Sequence, residues 1–228
     1  LCAAVTAADE AQFAARTIRR LVREENYRYR DFVIIARDAD TYKQTVISAC
    51  QKNGVNCFYD RRVSMSVFPL SRFTLSAIDA LRLSTDGILG LSKTGLGNLN
   101  TDEISDLENY TYLWSIDSKL WLEEWTMDPR GFVTDEIDEE TREKLKHLNT
   151  LRQKALKPIL KFKENFKGNS RSRVEAIIKL FEDCNCSEKL RKMCDGFDGA
   201  NPYLSEDMLV QSYDELMKIF DSIVNSYG

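Results

Sequence analysis

Apolar positions in this chain follow two rhythms, and the change between them falls near residue 84. In the first part, short apolar runs alternate with helical spacing. Residues 1–6 form a short apolar run. Thr6-Ala7-Ala8-Asp9 then sets a hydroxyl and a carboxylate three residues apart, as a capping box requires. Ala11, Ala14, Ile18, Leu21 and Val22 follow at helical spacing and predict an amphipathic helix from residue 8 to about 25. Residues 31–36 (Asp-Phe-Val-Ile-Ile-Ala) are a near-continuous apolar run of strand length, the pattern of a strand buried on both faces. Asp38 or Asp40 caps the next helix, whose inner face is Tyr42, Val46, Ile47 and Cys50, and Gly54 ends it. Residues 55–59 read as a third strand. Pro69 suits a first helical turn, and Leu70, Phe73, Ala77, Ile78 and Leu81 give a third helix. Three strand–helix units predict a small parallel α/β layer with right-handed crossovers over residues 1–83.

Beyond residue 84 strand pattern is nearly absent. Asn100 or Thr101 caps a helix through Ile104, Leu107 and Tyr110. An aromatic stretch with Trp114, Trp121 and Trp125 ends at Pro129-Arg130-Gly131. Residues 136–167 read as one long helix interrupted or kinked at Pro158, and 173–182, 186–194 and 206–227 supply three more. The expected fold class is therefore α/β plus all-α, with a helical part over 84–228.

Composition narrows the functional classes. The 228 residues carry 32 basic and 36 acidic side chains, a formal charge of −4, so the chain as a whole is not a basic nucleic-acid binder. No window approaches the roughly eighteen apolar residues of a membrane span, and no membrane partner is expected. The charge is segregated, however. Residues 1–82 carry 13 basic and 9 acidic residues, 83–150 carry 6 and 15, 151–200 carry 12 and 7, and 201–228 carry 1 and 5. The basic runs 154–167 and 171–173, with Lys161, Arg171 and Arg173, suit a phosphate backbone; they suit equally well helix faces set against the acidic segment. The three tryptophans can stack on bases or fill a core.

Candidate chemistry is sparse. Hydrolytic triads need a histidine beside a nucleophile, and the single histidine, His147, lies in a charge-laced helical stretch. Of six cysteines, only Cys184, Cys186 and Cys194 cluster, and C-x-C plus one falls short of the paired spacing of a structural zinc site. Free thiols in a reducing cytoplasm are the expected state. Residues 90–97 (Gly-Leu-Ser-Lys-Thr-Gly-Leu-Gly) lack the glycine before lysine that a phosphate loop needs, because Ser92 stands there. The chain opens Leu1-Cys2-Ala3-Ala4 in the manner of a mid-strand, so a piece of a longer protein is expected.

Residues 1–5 (Leu-Cys-Ala-Ala-Val), 9–13 (Asp-Glu-Ala-Gln-Phe) and 29–37 (Tyr-Arg-Asp-Phe-Val-Ile-Ile-Ala-Arg) resemble domain 2A of UvrD/PcrA-like superfamily-one helicases. Residues 56–62 with Pro69-Leu70, then Lys93-Thr94-Gly95-Leu96, Leu107-Glu108-Asn109-Tyr110 and Trp125-Thr126, resemble one branch more closely. This branch is the B subunits of bacterial AddAB-type ATP-dependent helicase–nucleases.

The resemblance implies a domain 2A-like part over 1–83 and a helical 2B-type insertion over 84–228. It implies work on double-stranded and single-stranded DNA ends in break repair and recombination, with the A subunit as partner. ATP with magnesium and an iron–sulfur cluster belong to the parent complex and are expected outside this segment, which is expected to scaffold and handle DNA without catalysis. In active relatives a Tyr-Arg pair holds the nucleotide. Arg37 stands at the arginine position, where it reaches phosphate or instead pairs with a neighbouring helix; Ala36 replaces the tyrosine. Arg61 and Arg62, after an expected strand end, are further DNA-binding candidates.

Overall fold

The computed structural model describes residues 3–58, 63–132, 138–195 and 206–227. Among these residues every regular element is helical. The α-helices are α1 (Ala7–Glu24), α2 (Ala39–Lys52), α3 (Pro69–Ala80), α4 (Thr85–Lys93), α5 (Thr101–Leu113), α6 (Glu139–Asn165), α7 (Ser170–Asp183), α8 (Cys186–Asp195) and α9 (Glu206–Tyr227), with short 3-10 turns at Tyr29–Asp31, Met65–Val67 and Ser118–Trp121.

The parallel α/β layer expected over 1–83 is therefore corrected: the described fold is all-α. Residues 32–36 and 55–58 hold no strand, and residues 3–6 hold none either. Phe32 has extended backbone (φ −110°, ψ 143°), yet Val33 and Ile35 are 79% and 87% exposed. A strand exists only when a neighbour takes its N–H and C=O groups, and a short apolar run does not specify that neighbour. A helix satisfies its own backbone, so its local signals suffice.

The chain divides into two compact units, Leu1–Arg62 and Val63–Gly228. In the first, α1 begins where the Thr6 hydroxyl accepts the Asp9 amide, and α2 where the Asp38 carboxylate accepts that of Thr41. The two helices bury Ala11, Ala15, Ala49 and Cys50 with Val55. Small residues at the contact let the backbones approach closely. Polar ties reinforce it: Arg19 donates to the Asn53 carbonyl (3.0 Å), the Asn53 amide to Gln12 (2.9 Å), and the Tyr42 hydroxyl to Glu10 (3.0 Å).

The second unit is built around one core that includes Phe73, Ile88, Leu91, Leu96, Leu107, Leu151, Ile159 and Leu180. Pro69 opens α3 in the first turn, where its missing N–H costs nothing. Gly87 lies so close to α3 that a Cβ would meet the Ala80 nitrogen at 2.5 Å. Asn100 and Glu103 form a reciprocal capping box for α5. The long α6 runs through Pro158 without ending and buries Leu148, Leu151, Ala155, Ile159 and Phe162 along one side. Helix α9 adds Leu216 and Phe220 to the same core.

Candidate nucleic-acid surface and its surroundings

Lys154, Lys157 and Lys161 recur at helical spacing and so share one flank of α6. The structure separates their roles. The Lys154 ammonium lies 2.7 Å from Glu103 of α5, and that of Lys161 lies 2.6 Å from Asp183 of α7. Burial alone would raise the Glu103 carboxyl, but the Lys154 ammonium and the Asn100 amide outweigh it and hold the group below its ordinary value. Glu103 belongs to the acidic segment, so here the basic run is set against acidic neighbours. Lys157, Lys163, Lys167 and Arg171 are exposed. Among the described residues these four side chains form no ion pair.

Arg173 is also exposed, but its guanidinium carbon sits 5.7 Å from the centre of the Phe166 ring. Two residues apart on a helix means about 200° around its axis, so Arg171 and Arg173 do not share a face of α7. The candidates Lys161, Arg171 and Arg173 are thus not one cluster. Arg61 and Arg62 lie outside the described residues.

Arg37 is exposed and lines a cavity of 560 Å³ in the first unit with Glu10, Asp38, Tyr42 and Ala36 among its neighbours. No ion pair of Arg37 occurs among the described residues. Two carboxylates, Glu10 and Asp38, share that wall, and Ala36 offers no ring at the position next to Arg37.

Residues 90–97 form the C-terminal end of α4 and the turn after it. Lys93 is paired with Glu108. The Thr94 hydroxyl donates to the Leu91 carbonyl (2.7 Å), and Gly95 takes φ +77°. The Lys189 ammonium of α8 then donates to the carbonyls of Leu96 (3.0 Å) and Gly97 (2.5 Å). Carbonyls gathered on a cation are the opposite of the amide cradle a phosphate needs.

The tryptophans serve packing. Trp121 and Trp125 are buried, with ring centres 5.3 Å apart, and Tyr110 stacks on Trp125 at 4.8 Å. Trp121 donates its indole N–H to Thr85 (2.8 Å) and Trp114 to the Asp128 carbonyl (3.0 Å). Buried Arg152 donates to the Trp121 carbonyl (2.7 Å) and to Asn149 (3.1 Å), and lies 5.8 Å from the Trp125 ring centre. Desolvation lowers its pKa, while Glu124 opposes the shift. Little in the sequence signals this cluster, since Asn149 and Arg152 read as ordinary polar helix positions.

Cys184 and Cys186 are buried, and burial pushes their thiols up to about 11 and about 12. Among the described residues no three His, Cys, Asp or Glu side chains converge to hold a metal, so these residues do not fit an iron–sulfur cluster. His147 is exposed on α6.

No protein-family model matches the chain. The B subunit of the ATP-dependent helicase/deoxyribonuclease of Clostridium perfringens (strain SM101 / Type A) is 31% identical over 227 residues, covering 95% of this chain and 19% of that protein. The B subunits of the same name from Acetivibrio thermocellus and Thermoanaerobacter sp. (strain X514) are each 27% identical, covering 96% and 99% of this chain and 20% of theirs. The chain thus spans about one fifth of the length of the curated relatives it matches. The similarity therefore extends across nearly the whole sequence: this chain is homologous to one segment of the ATP-dependent helicase/deoxyribonuclease B subunits.

Proposed function

We propose that the chain acts as a non-catalytic segment of a helicase–nuclease B subunit that processes DNA ends during break repair, and that it contributes both scaffold and DNA backbone contacts. The partner on this reading is the A subunit of the same complex, with double-stranded and single-stranded DNA ends as the substrate. The observation that carries the DNA role is the division among the cations of α6 and α7. Lys154 and Lys161 are engaged between helices, whereas Lys157, Lys163, Lys167 and Arg171 are exposed without ion-pair partners among the described residues. Flexible unpaired cations suit a phosphate backbone, which is recognised by charge and not by base identity.

The test is binding of the full chain to a labelled junction of duplex and single strand across a salt series. Affinity that falls steeply with salt, with a slope lowered by alanine at Lys157, Lys163, Lys167 and Arg171 together, supports the reading. Each lost phosphate contact lowers the slope by roughly 0.7–0.9. Absence of binding at low salt leaves the scaffold role and removes the DNA contact from this segment.

A further inference from the structure

A second pair of groups, unrelated to the cations of α6 and α7, occupies the first unit. Helix α2 ends with Cys50 in its last turn, and the chain turns back at once. Asn53 closes the helix, Gly54 takes φ +63°, and the Val55 amide donates to the Cys50 carbonyl at 2.9 Å. This turn carries Cys57 back towards the end of α2, so that Cys50 and Cys57 line the same cavity of 580 Å³, and Cys57 is near enough to add to the upward shift of the Cys50 thiol. Cys50 is buried and Cys57 is exposed, and both are free thiols.

We propose that Cys50 and Cys57 form a peroxide-sensitive dithiol, which closes to a disulfide that fastens residues 55–58 to the end of α2. The order of events follows from exposure. Burial raises the Cys50 thiol to about 11, with the neighbouring Cys57 adding to the shift, so Cys50 is not the first to react; the solvent-facing Cys57 is. Its thiolate attacks hydrogen peroxide, the O–O bond breaks, and Cys57 becomes a sulfenic acid as hydroxide leaves and takes up a proton. The Cys50 sulfur, held beside it, then attacks the Cys57 sulfur and displaces the hydroxyl as a second water. Two thiols lose two protons and two electrons, and one peroxide becomes two waters. The pairing is local, joining residues seven apart in sequence across the turn at Asn53 and Gly54.

Mass spectrometry of the full chain after mild peroxide treatment tests the proposal. Trypsin cuts after Lys43, Lys52 and Arg61, which places Cys50 and Cys57 in adjacent peptides, 44–52 and 53–61. The expected result is that these two peptides become joined, with the loss of two hydrogens in mass, and separate again on reduction. In Cys50→Ser, Cys57 is expected to accumulate as sulfenic acid that dimedone traps; in Cys57→Ser, the joined species is lost. Joining of either peptide to a different cysteine, or a wild-type chain in which dimedone labels Cys57 while Cys50 stays free, overturns the proposal. The wild-type mapping decides the question even if a variant fails to fold.

Discussion

Asn149 and Trp125 hold each other through both ends of a single amide. The Trp125 backbone N–H donates to the Asn149 side-chain oxygen at 2.9 Å, and the Asn149 side-chain nitrogen donates to the Trp125 carbonyl at 2.8 Å. A side chain from the middle of α6 thus plays the part of a neighbouring strand for an irregular segment that has none. The same oxygen accepts from Arg152, so one residue fixes the loop, the arginine and the Trp125 ring beside it.

Asn149→Ala removes all of these bonds and leaves polar groups unpaired, for a loss of about 2–3 kcal/mol. Urea unfolding followed by tryptophan fluorescence should show a clearly lower midpoint. A shift no larger than that of an exposed control on α6, such as Lys146→Ala, would remove Asn149 from this role.

Acid should weaken the second unit through Glu103 and Asp117. Glu103 is held below its ordinary 4.5 despite burial, by Lys154 and the Asn100 amide; Asp117 is held below 3.8 chiefly by the Thr85 amide. A carboxyl that binds its proton less readily when folded stabilises the fold fully above its unfolded value. That contribution fades as pH falls through the lower, folded value. Stability should therefore be flat above about pH 5 and decline below it. Glu103→Gln should start lower and lose less on acidification below that point in thermal melts.

Gly95 and Gly54 both adopt positive φ, but their surroundings differ. A Cβ at Gly54 meets nothing within 4 Å, whereas one at Gly95 would lie 2.5 Å from the Met193 methyl. Gly54→Ala should cost only the backbone strain, about 1 kcal/mol. Gly95→Ala should cost more, by the work of displacing Met193, and Gly95→Ala with Met193→Ala should recover none of the backbone share. Equal costs for Gly54→Ala and Gly95→Ala would show that the Met193 contact is inconsequential.

Lys161→Ala breaks an ion pair that is largely solvent-exposed, which is worth roughly 0.5 kcal/mol. It should leave the salt slope of DNA binding nearly unchanged. Lys157→Ala should do the reverse, lowering the slope with no measurable effect on stability. Identical behaviour of the two variants would erase the distinction drawn between them.

Helix starts are legible in the sequence because capping is local: Thr6, Asp38 and Asn100 each cap the helix that their spacing announces. The charge segregation leaves two readings of the basic run open, and Lys154 follows the one in which it is set against the acidic segment, through Glu103. Helix α4 carries the same kind of capping signal, since the Ser84 hydroxyl accepts the Gly87 amide at its start, but two internal glycines, Gly87 and Gly90, dilute its helical pattern. The apolar runs near Val33 and Val55 mislead for a different reason. Their β-branched residues favour a strand, but a strand is a relation between distant segments, which no local pattern encodes. Asn149 is invisible for a related reason, since its partner lies 24 residues away.

All three tryptophans of the chain lie between residues 114 and 125, within the second unit. Two of them are sealed in its core. Intrinsic tryptophan emission is therefore a private signal of that unit, and helices α1 and α2 contribute nothing to it directly. A lesion confined to the first unit, including any change at Cys50 or Cys57, can pass a fluorescence melt unnoticed. Far-ultraviolet dichroism, which sums over every helix, would record it. Comparing the two optical traces turns an accident of composition into a way of listening to each half of the molecule separately.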